Sequence, residues 1–354
     1  GIAARGGAES SSSGAKPVAP SAQPAAPTPP PPSARPTTAP PTPPQPTAAP
    51  TLAATAPPKP AAAKPAAPPA PTTVPTPAAC QYGRSRHLAE AQDRAVKEAS
   101  ALVASQRFPG VYWTLNDSGN SPSIFAIDEQ GRSRGTFRVS DAENEDWESM
   151  QLGPGWNGGS ALYIGDTGDN DRKRKDITVY RIPEPDIRDP GDKIATERTS
   201  DAEAYSFSYP DGARDAETIL VHPQSGEILV VSKESLGSAR VYRVPQPLDP
   251  SKRVTLERIA VLDLGQFGVK ADVVDDGAVA ADASRLVIRT YGSVLEYDIP
   301  QGAPLASVWN QTPRVSKLQD GVQAEGIAYR VDNMALISID EGTPAKLYET
   351  PREC

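Results

Sequence analysis

The chain has 354 residues, a net charge of −8, 40 prolines, two histidines and two cysteines. An acidic chain is poorly made for neutralising phosphates, so nucleic acid is set aside as a partner. No apolar run of 18 residues exists, so no helical membrane span is expected.

Residues 1–79 hold 24 of the 40 prolines, no aromatic residue and one acid, Glu9. Such a stretch cannot bury enough apolar surface to offset its ordering entropy and is expected to be a disordered Pro/Ala/Thr-rich linker. In polyproline II its repetitive part would be a semi-rigid spacer, about 3.1 Å per residue. A stalk that holds a domain off an envelope and a passive linker fit it equally. The five Lys/Arg of the tail leave about −12 on the remainder. All 20 aromatics lie after position 79, so residues 80–354 are expected to form the folded domain.

Cys80 stands where the composition changes and Cys354 is the last residue. A disulfide joining the ends of the domain, in an oxidising compartment, is the favoured reading; two free thiols are the alternative. Residues 88–98 have helical composition, yet 98–105 aligns with later strands, so a short helical turn followed by a strand is expected.

From there short β-rich runs alternate with Asp/Gly/Asn turns. Val111–Leu115, Ser123–Ile127 and Thr136–Val139 come first, then Leu162–Gly165, Ile177–Ile182 and Tyr205–Tyr209. Ile228–Ser232, Ala239–Val244 and Thr255–Leu262 follow, then Leu286–Thr290, Val294–Ile299 and Leu305–Trp309. Gly326–Arg330, Ala335–Ile339 and Lys346–Tyr348 end the series.

One phrase recurs. An acid opens an apolar run, a turn follows, and a second run ends in an acidic loop: Glu98 with Asp117, Glu148 with Asp166 and Asp169, Glu217 with Glu234, Asp276 with Arg285–Thr290, and Glu325 with Glu341. Five copies indicate an all-β propeller of four-stranded antiparallel blades. Six blades stay open, because 197–217 carries a further acidic phrase, Asp201-Ala-Glu203. The last repeat lacks an outer strand, which Gln81–Leu88 can supply, and that closure would bring Cys80 to Cys354.

Trp113-x-x-Asn-Asp-Ser-Gly-Asn120, Glu143-Asn-Glu-Asp-Trp-Glu148, Tyr163-Ile-Gly-Asp-x-Gly-Asp-Asn170 and Val179-Tyr-Arg-Ile-Pro-Glu-Pro185 resemble a group of secreted bacterial propeller proteins, mostly of unassigned function, over about residues 96–187. More distantly, 98–348 is similar to phytase-like and lactonase-like propellers. The resemblance implies the fold, and fold does not settle function.

In a propeller the repeated acids and loop acids meet at one channel mouth. Carboxylates without imidazole or thiolate suit a hard cation, Ca²⁺ before Mg²⁺. The candidate ligands are Asp166, Asp169, Glu148, Glu217, Glu325 and Asp117; the alternative is that these acids cap backbone N–H groups. The Asp166–Asp171 loop does not match an EF-hand. His87 and His222 read as structural, and no Gly-x-Ser-x-Gly elbow occurs. Trp147 reads either as a ligand-stacking platform or as packing between blades.

The expected function is a secreted or envelope-associated, monomeric binding module for a small-molecule, glycan or protein ligand. The alternative is a calcium-dependent phosphate or ester hydrolase. That chemistry needs cations facing the acids, and Arg172–Lys175, Lys233 and Arg289 are the residues available.

Overall fold

Runs such as Ile-Leu-Val-Val at 228–231 and Leu-Val-Ile at 286–288 are β-branched and apolar on both faces, which suits strands stacked between other sheets. A computed structural model describes residues 80–187, 196–235, 237–269, 272–318 and 324–354. The chain divides into two units, Gly1–Pro71 and Thr72–Cys354. The first, and with it the expected linker of residues 1–79, lies outside the described residues.

Five antiparallel sheets form the blades of a β-propeller. From the axis outward, blade 1 runs Ala99–Ala104, Val111–Asn116, Ser123–Asp128 and Ser133–Ser140. Blade 2 runs Trp147–Pro154, Ser160–Asp166, Ile177–Pro183 and Glu203–Ser208. Blade 3 is Thr218–Val221, Ile228–Val231, Ser238–Arg243 and Glu257–Asp263. Blade 4 is Val274–Val279, Arg285–Thr290, Ser293–Asp298 and Arg314–Lys317. Blade 5 is Ala324–Tyr329, Ala335–Asp340 and Lys346–Glu353, completed by Gln81–Tyr82 and Arg86–Glu90 on its outer edge.

The alternative of six blades is thereby resolved. Thr196–Asp201 adds to blade 1 as a fifth strand, parallel to Ser133–Ser140, and Glu203–Ser208 is the outer strand of blade 2. The Asp201-Ala-Glu203 phrase is a crossing between two blades. Two local expectations also change. Leu305–Asn310 is a 3-10 helix, and the outer strand of blade 4 is Arg314–Lys317. Residues 88–90 are strand, because Arg86–Glu90 is recruited to an edge and ladder pairing outweighs local propensity, and a single hydrogen-bonded turn at 93–96 precedes the first inner strand, with Val96 N donating to the Asp93 carbonyl at 3.1 Å.

The innermost strands lie against one another around the axis, closely enough that a Cβ on Gly326 would meet the Ala101 carbonyl carbon at 2.5 Å. Polar side chains tie these strands together. Ile219 N donates to Ser149 Oγ at 3.1 Å, Ile327 N donates to Asp276 Oδ2 at 2.7 Å, and Gln151 Nε2 donates to the Gly277 carbonyl at 2.8 Å.

Closure is by the N-terminal strands, as expected, and a disulfide joins Cys80 to Cys354. Tyr82 from the closing strand reaches into blade 4, where its hydroxyl donates to Glu296 Oε1 at 2.5 Å. Glu296 is buried and also receives Tyr329 at 3.2 Å, Arg314 at 2.9 Å and Arg352 at 3.3 Å. Burial opposes its charge, but these donors prevail and hold its pKa below the usual carboxylate range.

Replacing both cysteines by serine should lower the unfolding free energy by about 2–5 kcal/mol, read from denaturant melts, with an unchanged β circular-dichroism spectrum. Alkylation of both thiols in folded, unreduced protein would contradict the bridge.

Candidate functional site

The innermost strands begin at the mouth where the second strands end. At that point the pairing register slips by one residue. Trp147 pairs with Asp166 but Ser149 with Gly165, leaving Glu148 as an extra, bulged residue. The same slip isolates Ser100, Asp275 and Glu325. In blade 3 Lys233 N donates to the Asp215 carbonyl while Thr218 pairs with Val231, which puts Glu217 in the equivalent place. A bulge re-aims its side chain, and here it carries an acid in four blades of five.

This register corrects the repeat alignment. Ser100, not Glu98, is the blade 1 equivalent, and Asp275, not Asp276, that of blade 4. Asp276 is one step further in, buried between strands, with Ser149 Oγ at 3.4 Å.

Asp117, Asp146 and Glu148 converge. Each offers a carboxylate oxygen, and the three oxygens lie within 4.8 Å of one another. Asp117 comes from the loop after the second strand of blade 1, and Asp146 and Glu148 open blade 2. Gly168 backs the cluster: a Cβ there would meet Asp146 Oδ2 and Glu148 Oε1 within 2.5 Å, so any other residue would have to push these carboxylates aside.

The cluster is electrostatically loaded. Burial, then the Asp117 carboxylate beside it, pushes Asp146 up to about 7. Burial and the Glu217 charge push Glu148 well above the carboxylate range. Burial raises Glu217 to about 7 against the pull of Lys233, whose Nζ lies 2.8 Å from its Oε1.

The other acids occupy different positions. Asp166 Oδ1 accepts from Arg174 Nη1 at 2.7 Å and from Asp146 N at 3.1 Å, while Oδ2 accepts from Glu145 N at 3.2 Å. Asp169 accepts from Lys173 N at 2.9 Å and Arg174 N at 2.8 Å. Both shape the 166–174 loop behind the cluster, and internal donors already satisfy them. Glu325 stands at the mouth on blade 5, where its charge helps raise Asp275 and Glu341. Asp275 is fully buried 3.1 Å from Arg289; burial outweighs that partner and lifts it to about 7, and its Oδ1 has no hydrogen-bond partner. Glu234 is turned into blade 3, bonded to Ser232 and Arg240.

Trp147 is fully buried, with its ring tilted against Tyr180 and Nε1 donating to the Glu143 carbonyl at 2.8 Å. It packs between blades and offers no stacking face. The exposed aromatic at the mouth is Tyr291, 46% exposed, its hydroxyl near enough to Lys233 and Glu325 to feel both charges. His222 Nδ1 accepts from Gln224 N and Ser225 N in a turn, and His87 stacks edge-on to Tyr348. Both are structural.

Asp146 and Asp275 were not singled out by the repeat. For Asp146 the signal was an acid two residues before the bulged one, present as Asp146-Trp-Glu148 and Asp215-Ala-Glu217.

No protein-family model and no curated protein matches the chain in sequence. Among solved structures, one titled "Crystal structure of RRP9 WD40 repeats" is similar over 78% of this chain and 100% of its own, at 12% identity and a TM-score of 0.41. That similarity is too low to argue from, and the propeller assignment rests on the strand order itself.

Unfolded carboxyls ionise near pH 4, whereas Asp146 and Glu217 keep protons up to about 7 in the fold. The folded state therefore binds more protons between pH 5 and 7, and without divalent cations the melting temperature should fall as pH rises through that window. Glu148→Gln should flatten the fall and raise the melting temperature at pH 7.5 by a few degrees. A Glu148→Gln protein less stable than the parent at pH 7.5 would refute mutual repulsion at the mouth.

Proposed function

We propose that this propeller is an extracytoplasmic binding module whose ligand docks at the acidic mouth through a divalent cation held by Asp117, Asp146 and Glu148. The observation that carries the reading is the convergence of three carboxylate oxygens within 4.8 Å at a half-open position. Three hard oxygen donors with no nitrogen or sulfur beside them favour calcium over transition metals, and the uneven spread of donors suits calcium better than magnesium. A cation there would relieve the repulsion that lifts Asp146 and Glu148, and its open side would take oxygens from a small molecule, a glycan or a protein. The disulfide supports an oxidising compartment, secreted or envelope-associated, with the Pro-rich tail as a tether and the domain acting as a monomer. Among the described residues no helix is long and apolar enough to cross a membrane.

The resemblance to phytase-like and lactonase-like propellers keeps a calcium-dependent hydrolase as the rival. Binding is favoured because the basic groups near the mouth are already engaged by acids: Lys233 by Glu217, Arg289 by Asp275 and Arg174 by Asp166.

Calcium at a hundredfold excess over Kd should stabilise the parent by about 2.7 kcal/mol, and EDTA should remove that increment. Asp146→Asn and Glu148→Gln should each abolish it. Asp169→Asn should keep it while lowering overall stability, because Asp169 folds its own loop. A chelator-insensitive melting curve, with no metal in the purified protein, would overturn the cation site.

A further inference from the structure

Three arginines on the outer strands stand opposite acids. Arg181 stands directly across from Glu203, Arg243 from Glu257 and Arg314 from Glu296, and each pair forms an ion pair. Opposite charges across a ladder stabilise it, and like charges oppose it. Other outer-strand arginines face uncharged residues, as Arg240 faces Val261 and Arg258 faces Tyr242, but one position sets arginine against arginine. On the extra strand of blade 1, Arg198 is the register partner of Arg138.

Partnered residues on adjacent strands project to the same face and stand roughly 5 Å apart. Arg138 and Arg198 are both exposed, both line one cavity of about 520 Å³, and among the described residues neither has a hydrogen bond or ion pair. The pairing is held in place: Ser140 N donates to Thr199 Oγ1 at 3.1 Å, Ser140 Oγ to the Thr199 carbonyl at 2.9 Å, and Ala202 N to the Ser140 carbonyl at 3.0 Å. The two arginines are thus kept at neighbouring positions on one face, in a domain rich in carboxylates. Tyr180 lines the cavity; its oxygen accepts from Glu143 N at 3.3 Å, which leaves its O–H to donate. Asp141 and Glu143 also line the cavity.

We infer that the cavity beside the fifth strand of blade 1 is an oxyanion site, in which Arg138 and Arg198 together hold a doubly charged tetrahedral group, phosphate or sulfate, free or as an ester. Each planar guanidinium can present paired N–H donors to such a group, and the anion replaces their mutual repulsion with charge-assisted contacts. Asp141 and Glu143 would accept hydroxyls of the molecule bearing it. Its two arginines lie on the outermost strands of blade 1, and the site does not depend on the cation reading.

Calorimetric titration of the full chain with inorganic phosphate and, separately, sulfate tests the site, with chloride at matched ionic strength as the control. The expected result is saturable binding of at least one oxyanion, weakened at least tenfold by Arg138→Ala or Arg198→Ala and unchanged by Glu148→Gln. Preference between the two titrations identifies the group. Arg198→Glu restores the acid-across-arginine pattern, so it should raise the melting temperature in oxyanion-free buffer and abolish binding. No saturable heat beyond the chloride control, or equal binding by Arg198→Glu, would overturn the proposal.

Discussion

Five inner strands converge on one axis, and four of them begin with a bulged acid, Glu148, Glu217, Asp275 or Glu325. Two like charges about 4 Å apart interact unfavourably by about 4 kcal/mol at an effective dielectric near 20, and burial adds desolvation to that. The fold answers this unevenly. Glu217 has Lys233 and Asp275 has Arg289, whereas no ion pair compensates the Asp117–Asp146–Glu148 cluster among the described residues, and burial with neighbouring acids raises Asp146 and Glu148. A mouth with charge uncompensated on one side and compensated on the other has a built-in polarity, and the uncompensated side is where a cation gains most.

The arrangement can persist because the ring is held elsewhere. Inner strands exchange hydrogen bonds through Ser149, Gln151 and Asp276, so the axis is tied by polar contacts between blades as well as by apolar packing. At the rim, Glu296 gathers Tyr82, Tyr329, Arg314 and Arg352, joining the closing strand to blade 4. Glu296 and Glu148 are both buried carboxylates. Burial raises both, but donors around the first overcome it and lower its pKa, whereas acids around the second add to it. One locks the fold; the other stores repulsion at the mouth.

Outer edges are treated in a third way. Blades 1 and 2 each receive an added parallel strand, Thr196–Asp201 and Val254–Thr255, which covers an edge otherwise open to pairing with another chain. The added strand of blade 1 also sets Arg198 beside Arg138, a juxtaposition neither strand would contain alone.

Much of this was legible in the residues. The recurrence of an acid, an apolar run and an Asp/Gly loop determined the propeller. The truncated last repeat determined closure by the N-terminal strand, and the placing of Cys80 and Cys354 pointed to the bridge. The composition of 98–105 and of most later strands settled their type, because β-branched runs between turn clusters have few alternatives. Tertiary structure decided the rest. Bulges shifted the blade 1 and blade 4 equivalents to Ser100 and Asp275, which a sequence phrase cannot show because a bulge is a property of the pairing. Arg174 and the backbone N–H groups of 145, 146, 173 and 174 claimed Asp166 and Asp169, while Asp117 from blade 1 joined Asp146 and Glu148 of blade 2. Residue type told that carboxylates would gather at one mouth; which of them kept an open oxygen depended on donors that only the folded chain brings within reach.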